Sequence, residues 1–192
     1  LATINMVAYQ GGAAFKRISR IIDKEIEIKN DPNLPNLIIS DCNINYKNVN
    51  FKYDNTNDRD LKKLNLEIKG GTMTALVGHS GAGKSTVINL LPRFYDPQEG
   101  SVTIDGKSIS EVNLNSLRKN ISLVSQDVIL FDNTIKNNIS YANPEASDKE
   151  IEEACKNSAA IEFIEKLPKK FDTIVGENGV RLSGGQKQRI SI

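Results

Sequence analysis

The 192-residue sequence has no tryptophan, a single histidine (His79) and only two cysteines, Cys42 and Cys155. The cysteines lie far apart and in no metal-ligand spacing, so we expect two reduced thiols in a cytosolic environment. No run of about 18 apolar residues is present, so no transmembrane segment is predicted. The start of the chain also lacks a basic region followed by an apolar stretch, which argues against a signal peptide.

The charge balance is close to neutral, with 25 basic and 24 acidic residues and a net charge of +1. This balance gives no electrostatic ground for nucleic acid as a partner. Apolar residues make up 39% and charged residues 26%, as in a globular chain whose length suits one domain with room for a flanking element. The sequence begins with Leu1 instead of methionine and stops at Ile192, so we expect both ends to be cuts.

Three parts are predicted along the chain. Residues 1–28 are predicted to form an amphipathic helix, because apolar side chains recur at helical spacing. These side chains are Ile4, Val7, Ala8, Phe15, Ile18 and Ile22. Residues 29–40 are polar and contain Pro32 and Pro35, which predicts a linker and the domain boundary. Residues 41–192 are predicted to be the main domain.

The main domain is predicted to contain both strands and helices. Apolar and alternating runs predict strands at residues 44–53, 64–68, 72–77, 101–105 and 121–124. Asp105-Gly106 is typical of a tight hairpin turn, and residues 54–60 are typical of a looser turn. One helix is predicted directly after a glycine-rich loop and ends near Pro92, which lacks a donor N–H. Another helix is predicted at residues 148–166.

The glycine-rich loop fits the pattern GxxxxGK[ST]. Its residues are Gly78, His79, Ser80, Gly81, Ala82, Gly83, Lys84 and Ser85. A predicted strand precedes the loop and a predicted helix follows it, as this phosphate-binding motif requires. The glycines leave the backbone N–H groups open to wrap a polyphosphate, and the positive end of the helix dipole points at the anion. The motif therefore predicts nucleotide binding.

The side chains at the end of the loop supply the remaining chemistry. Lys84 would place a positive charge beside the β- and γ-phosphates, and the Ser85 hydroxyl suits Mg²⁺. Thr86 would add one more hydroxyl near the phosphates. We interpret His79 as an incidental loop residue, and the alternative is a general base.

A second glycine motif, Leu-Ser-Gly-Gly-Gln, occupies residues 182–186. Ser183 and Gln186 stand at capping-box spacing, which predicts the start of a helix. Gly184 and Gly185 would leave the first amides of that helix uncovered, and this arrangement predicts a second anion site in the same chain. The alternative interpretation of this motif alone is a plain glycine-rich helix cap.

Taken together, the two motifs resemble those of ABC ATPases, in which residues 182–186 would be the signature sequence. Residues 49–53 resemble the strand that gives the adenine-stacking aromatic residue, which would be Tyr53. Residues 124–127 resemble the Q-loop, in which Gln126 would contact Mg²⁺ and the attacking water. Residues 93–97 and 130–135 resemble segments of exporters in which membrane and ATPase domains are fused.

The resemblance implies an α/β fold: a P-loop ATPase core with a mixed or parallel sheet, an antiparallel β subdomain and a helical subdomain. It implies ATP and Mg²⁺ as cofactors, with Lys84 and Gln126 in catalytic roles. The partners would be a second ATP-binding domain, head to tail, and a transmembrane domain whose last helix would end in residues 1–28. The site would lie at the cytoplasmic face of the cell membrane.

The implied function is ATP hydrolysis that drives export of a lipid or hydrophobic substrate. Residues 176–179 and 137–142 are similar to bacterial lipid A flippases, while multidrug or peptide export stays open. Two further alternatives are a soluble ABC ATPase of DNA repair or translation and a non-catalytic nucleotide-binding module. Membrane segments upstream of Leu1 would argue against the first alternative.

Two departures from the family pattern stand out. Asp54 follows Tyr53, where the family usually has proline. The sequence also stops before the stretch that holds the Walker B strand, the catalytic glutamate, the D-loop and the switch histidine. We therefore expect these 192 residues alone to bind ATP without hydrolysing it. The nearest carboxylate, Glu177, is interpreted as an exposed loop residue, and loss of a core strand predicts marginal stability.

Overall fold

The computed structural model describes residues 2–53 and 61–192, with the backbone alone for residues 2–10 and 13. The turn predicted at residues 54–60, and Asp54 with it, lies outside the described residues. The chain folds into two compact units, Leu1–Ile121 and Ser122–Ile192. Within the described residues, none of the helices has the length and the hydropathy that crossing a bilayer requires.

The first unit is built on an antiparallel sheet. Its strands are β1 (Ile44–Phe51), β2 (Leu61–Ile68), β3 (Glu99–Ile104) and β4 (Lys107–Ser108), in the order β2-β1-β3-β4. The predicted antiparallel part of the fold is thereby confirmed.

The β3–β4 hairpin turns where the sequence predicted it. Asp105 and Gly106 have φ values of 48° and 78°. Two adjacent residues in the left-handed region match a type I′ turn, whose twist suits a two-residue hairpin.

The described residues of the first unit form three helices, α1 (Ala2–Ile22), α2 (Lys84–Leu90) and α3 (Leu114–Lys119), with a 3₁₀ turn at Ile109–Glu111. Buried side chains of the sheet and of the two short helices form one core. This core includes Tyr46, Val49, Phe51, Val87, Leu90, Val102, Ile104 and Leu117. The core holds α2, and therefore the end of the glycine-rich loop, against the sheet.

The amphipathic helix α1 ends at Ile22, before the end predicted near residue 28. Ile28 instead packs against the sheet core, so the chain leaves the helix before that residue. Apolar side chains of α1 remain open to solvent: Phe15 is 71% exposed and Ile21 80% exposed.

The predicted linker is docked along the first unit. The Leu37 side chain is buried, and its backbone N–H donates to the Ser116 hydroxyl at 3.0 Å. The Asn30 side chain accepts from the N–H of Leu114 at 2.9 Å, and the Pro35 carbonyl accepts from the N–H of Asn113 at 2.8 Å. We call residues 30–43 the strap. The domain boundary at residues 29–40 stays a prediction.

The far end of the strap wraps the Asp105 carboxylate. Oδ2 accepts from the N–H groups of Ser40, Asp41 and Cys42 at 2.8, 3.2 and 3.1 Å, and Oδ1 accepts from Asn43 at 2.7 Å. These backbone donors, those of Ser40 and Asn43 above all, lower the pKa of Asp105 to about 2. The strap is thus bound to the hairpin through one ionised side chain.

The strands predicted at residues 72–77 and 121–124 are absent from the part of the chain that the structure describes. In the apolar run before the loop, Met73 is 101% exposed and Val77 90% exposed, and Leu76 packs only partly against the core. A buried parallel strand forms by pairing with neighbours in its sheet, and the described residues provide no neighbour for these two segments. These two strand predictions are wrong for this structure.

The second unit is helical. Its helices are α4 (Ile135–Ile139), α5 (Asp148–Asn157), α6 (Ile161–Ile164) and α7 (Gly184–Ser191). Short 3₁₀ turns lie at Ser140–Ala142, Lys170–Asp172 and Glu177–Gly179. Its core contains Leu130, Ile135, Ile151, Cys155, Ala160, Ile164, Val175, Leu182 and Ile190. The predicted helical subdomain is confirmed, and the β-containing and helical parts together agree with the predicted α/β class.

The helix predicted at residues 148–166 is split in two. Ala159 has a φ of 54°, which no interior residue of a right-handed helix adopts. The break follows Asn157 and Ser158, which are weak helix formers, and it lets Ala160 become fully buried.

Candidate nucleotide-binding site

The glycine-rich loop leads directly into α2. Gly83 forms the N-cap with a φ of 81°, and Gly81 has a φ of 79°. The N–H of Ala82 donates to the His79 carbonyl at 3.2 Å and closes the loop between them. Two left-handed positions within three residues explain the glycines, since a side chain at either would be strained.

The Lys84 side chain folds back over the loop. Its ammonium donates to the carbonyl oxygens of Gly78 at 2.9 Å and His79 at 2.8 Å. Both acceptors are neutral, and a phosphate oxygen is a stronger acceptor for an ammonium group. The Lys84 ammonium group is therefore held at the loop, and it can leave these carbonyls to bind an anion.

The surroundings of the loop suit a polyphosphate. Among the described residues, no side chain caps the N-terminus of α2, and a Cβ built on Gly81 would meet no atom within 4 Å. Ser80, Ala82 and Ser85 are exposed, whereas Thr86 is buried at 6% exposure. The exposed Ser85 hydroxyl is a hard oxygen ligand suited to Mg²⁺.

No group of three or more histidine, cysteine or acidic side chains in residues 2–53 and 61–192 could hold a metal by itself. Binding of Mg²⁺, which usually takes one or two protein ligands and completes its shell with phosphate and water, stays a prediction.

Tyr46 anchors α2 to the sheet. Its hydroxyl, which is buried, donates to the Val87 carbonyl at 2.9 Å. The helical donor that would normally serve this carbonyl, the N–H of Leu91, bonds to Ile88 instead at 3.3 Å. Burial raises the pKa of the Tyr46 hydroxyl well above its usual value. This anchor lies one turn from Lys84, and the sequence analysis did not identify it.

Tyr53 is held in an aromatic cluster. Its ring meets Phe51 edge to face, with centroids 4.8 Å apart, and meets Tyr95 in the same way at 5.0 Å. The cluster borders a cavity of about 190 Å³ that Glu27 and Gln98 also line. The sequence singled out residues 93–97 only as a family-like segment and did not place Tyr95 beside Tyr53.

Gln126 lies in an exposed bend of the second unit. The neighbouring Ser125 hydroxyl donates to the Asp127 carbonyl at 2.9 Å, which shapes the bend. The fold thus presents Gln126 to solvent, and its role toward Mg²⁺ and water stays a prediction.

The second glycine motif starts α7 with a complete capping box. The N–H of Gln186 donates to the Ser183 hydroxyl at 3.4 Å, and the N–H of Ser183 donates to the Gln186 side-chain oxygen at 2.8 Å. Leu182 is buried and fixes the entry of the chain. A Cβ built on Gly184 or Gly185 would meet nothing within 4 Å. The predicted helix start is confirmed, with open space around its first amides.

A turn before the motif braces α7. Asn178 and Gly179 have φ values of 52° and 66°, and the Lys187 ammonium donates to the Asn178 carbonyl at 2.7 Å. Arg189 donates to the Ala159 carbonyl at 3.1 Å, at the break between α5 and α6. The Asn-Gly pair at residues 178–179 is a sequence signal for a turn, and the sequence analysis did not use it.

A phosphate loop followed by a helix, with an aromatic cluster in the same unit, defines a P-loop nucleotide-binding domain. Comparison with protein families identifies the family: the family described as "ABC transporter" matches residues 61–192. The chain therefore belongs to the ABC transporter family, whose ATPase domains bind ATP. This confirms the family predicted from the two glycine motifs.

Several curated proteins are similar over nearly the whole chain. An ATP-dependent lipid A-core flippase of Desulfotalea psychrophila is 44% identical over 192 residues, which are 100% of this chain and 33% of that protein. ABC transporter B family member 2 of Dictyostelium discoideum is 50% identical, over 94% of this chain and 13% of its own length. An ATM1-type heavy metal exporter of Novosphingobium aromaticivorans is 45% identical, over 95% of this chain and 30% of its own length.

A solved structure is also similar: a bacterial Atm1-family ABC exporter with ATP bound. The TM-score is 0.87 at 44% identity, and the match covers 95% of this chain and 32% of the exporter chain. The chain thus spans about a third or less of the relatives that it matches. By their names, these relatives are a flippase, exporters and a transporter.

Proposed function

We propose that the chain is the nucleotide-binding part of an ABC exporter, in which ATP binding and hydrolysis drive transport of a lipid or hydrophobic substrate. One observation carries this proposal: the chain contains two separate helix starts that are open to an anion. The first follows the phosphate loop. The second is the start of α7, which has a capping box and two glycines with open space around them. Two such devices in one chain are redundant unless they serve different nucleotides.

The first device would hold the chain's own ATP. The backbone N–H groups of residues 78–83 would wrap the phosphates while the Lys84 ammonium leaves the Gly78 and His79 carbonyls for the β- and γ-phosphate oxygens. Ser85 would bind Mg²⁺, and Thr86 would add a hydroxyl near the phosphates. The proposed role of Gln126 is to contact Mg²⁺ and the attacking water. Bound Mg²⁺ would supply neutralisation of the phosphate charge. Tyr53 would stack on the adenine.

The second device would serve the ATP of a partner ATP-binding domain. Ser183 is engaged by its cap as an acceptor, so its O–H hydrogen can still be donated to a phosphate oxygen. Gly184 and Gly185 would add uncovered N–H groups, and Gln186 would keep the helix start in place. Two domains packed head to tail would then enclose two nucleotides.

The first residues of the chain would connect it to the transmembrane domain. The exposed apolar side chains of α1 suit the end of a transmembrane helix at the cytoplasmic face of the inner membrane. No carboxylate of the chain has a motif that assigns it the role of catalytic base. Hydrolysis is proposed for the whole exporter, since the chain spans about a third or less of the relatives that it matches.

A lipid is the first candidate cargo, because relatives over the whole chain include lipid A-core flippases of Desulfotalea psychrophila and Coxiella burnetii. Small hydrophobic compounds are the second candidate, because a putative multidrug export protein of Staphylococcus aureus is 47% identical over 91% of the chain. Stimulation of the ATPase of the reconstituted intact protein by lipid A, compared with hydrophobic drugs, would separate the two.

The shared-site proposal is tested with Ser183→Ala in the intact protein. We expect ATP binding to be retained and both ATPase turnover and transport to be lost, since the hydroxyl serves the partner's nucleotide. Ser147→Ala is the matched control, because Ser147 caps α5 with the same kind of box. Each substitution removes a helix cap that contributes about 1 kcal/mol. Wild-type turnover in Ser183→Ala, or equal losses in both variants, would contradict the proposal.

A further inference from the structure

The Gln98 side chain pairs with the backbone of Lys52 as a neighbouring strand would. The N–H of Lys52 donates to Gln98 Oε1 at 2.8 Å, and Gln98 Nε2 donates to the Lys52 carbonyl at 2.9 Å. A primary amide carries a donor and an acceptor side by side, so it can satisfy both backbone groups of one residue. The result is a two-bond clamp made by a side chain.

The clamp begins where the β1–β3 ladder ends. Asn50 and Glu99 are the last paired residues of the two strands, and the N–H of Gln98 donates to the Asn50 carbonyl at 3.0 Å. Beyond this point the described backbones of β1 and β3 no longer pair. The Gln98 side chain therefore extends the ordered pairing to Lys52, past the end of β1.

Tyr53 follows Lys52 directly, so the clamp fixes the backbone from which the Tyr53 ring projects. Tyr95 lies three residues before Gln98 and forms one wall of the ring's surroundings. Asp96 lies between Tyr95 and Gln98. The Arg93 side chain holds it by donating to both of its carboxylate oxygens, at 2.7 and 3.0 Å. One short segment thus supplies both the backbone clamp and an aromatic wall for Tyr53.

We propose that Gln98 is a positioning residue that sets the orientation of Tyr53 for stacking on the nucleotide base. Gln98 acts through Lys52, because both polar ends of its amide are bonded to that residue. It would thereby tune the affinity for the base without affecting the affinity for the phosphates. This inference rests on the proposed role of Tyr53 in ATP binding.

The test measures ATP and inorganic tripolyphosphate binding to the intact protein. Gln98→Met keeps the length of the side chain and removes both hydrogen bonds. We expect its Kd for ATP to rise roughly threefold to tenfold, since part of the base-stacking contribution is lost. The Kd for tripolyphosphate should stay at the wild-type value. Glu67→Gln, an exposed change on β2, serves as the control and should alter neither Kd.

Two further variants separate positioning from a general effect on folding. Gln98→Glu keeps an acceptor for the Lys52 N–H and loses the donor, so its Kd for ATP should lie between those of wild type and Gln98→Met. In a Tyr53→Ala background, Gln98→Met should cause no further loss, because the residue acts only through that ring.

Unchanged ATP affinity in Gln98→Met, equal losses for ATP and tripolyphosphate, or additive losses with Tyr53→Ala would each overturn the role of Gln98. Failure of the proposed function would look different: the wild-type protein would bind neither ATP nor tripolyphosphate, and both proposals would then fall.

Discussion

The Lys84 ammonium nitrogen lies 2.9 Å from the carbonyl oxygen of Gly78, so the loop binds its own lysine across its width. A nucleotide would replace these neutral acceptors with phosphate oxygens. Removing the charge should therefore weaken binding far more than it weakens the fold.

We expect Lys84→Ala to raise the Kd for ATP roughly 10-fold to 100-fold, as estimated for the loss of hydrogen bonds from a charged donor. Isothermal titration calorimetry on the intact protein would measure this change. Lys62→Ala, an exposed lysine on β2, is the control and should bind as wild type does. Equal affinities in all three proteins would contradict the assignment of the loop.

The backbone N–H groups of residues 40–43, which donate to the Asp105 carboxylate, make the free energy of unfolding depend on pH. Because the folded-state pKa is lowered from 3.8 to about 2, the ionised side chain stabilises the fold above pH 4. That contribution should be lost as the pH falls from about 4 to about 2. Asp105→Asn removes the charge and keeps a residue type that tolerates the positive φ.

Urea unfolding of wild type and Asp105→Asn across this pH range would check the effect. We expect a constant difference in the free energy of unfolding at pH 5 to 7, and curves that converge below pH 4. Glu67→Gln is the control, since that carboxylate lies exposed on β2. A difference that persists unchanged at pH 2 would rule out a charge effect.

Tyr46→Phe should destabilise the first unit without disturbing its packing. The ring stays, but the Val87 carbonyl, buried in the core, loses its donor. Leaving such a group unsatisfied costs about 1–3 kcal/mol. Chemical denaturation would measure the loss, and Tyr141→Phe, at a 67% exposed tyrosine, should change nothing. Equal midpoints for the two variants would show that another donor replaces the Tyr46 hydroxyl.

Two glycines should respond to alanine in opposite ways. A Cβ on Gly70 would overlap the Asp41 carbonyl oxygen, so Gly70→Ala must displace the strap or β2. We expect a loss of about 1–3 kcal/mol or more. A Cβ on Gly11, within α1, would meet nothing within 4 Å, so Gly11→Ala should strengthen the helix by about 1 kcal/mol.

Thermal unfolding for Gly70→Ala and the helical circular dichroism signal for Gly11→Ala would check the pair. A stable Gly70→Ala protein would mean that the strap can move away from Gly70 at little cost.

Local features of the fold were predictable from the sequence. The capping box at Ser183, the hairpin at Asp105-Gly106 and the helix after Gly83 each depend on neighbouring residues. Their signals therefore lie within a few positions of one another. The conformation of the phosphate loop belongs to this class, while the roles of its residues in binding a nucleotide stay a prediction.

Features that depend on distant pairing were not predictable. The strand at residues 72–77 needs neighbours on both sides, and its apolar pattern says nothing about whether they are present. The pairing of Gln98 with Lys52 joins positions 46 residues apart, and no pattern marks either one. The break at Ala159 depends on the burial of Ala160, which is a property of the packed core.

The strap leaves little slack between α1 and the sheet. Only residues 23–29 separate the end of α1 from Asn30, the first residue of the strap. Seven extended residues reach at most about 25 Å. A displacement of α1 beyond that reach must pull on α3 through Asn30 and Leu37, and then on the hairpin through Asp105. The chain therefore contains a mechanical linkage from its first helix to the sheet whose strand β1 leads into Tyr53.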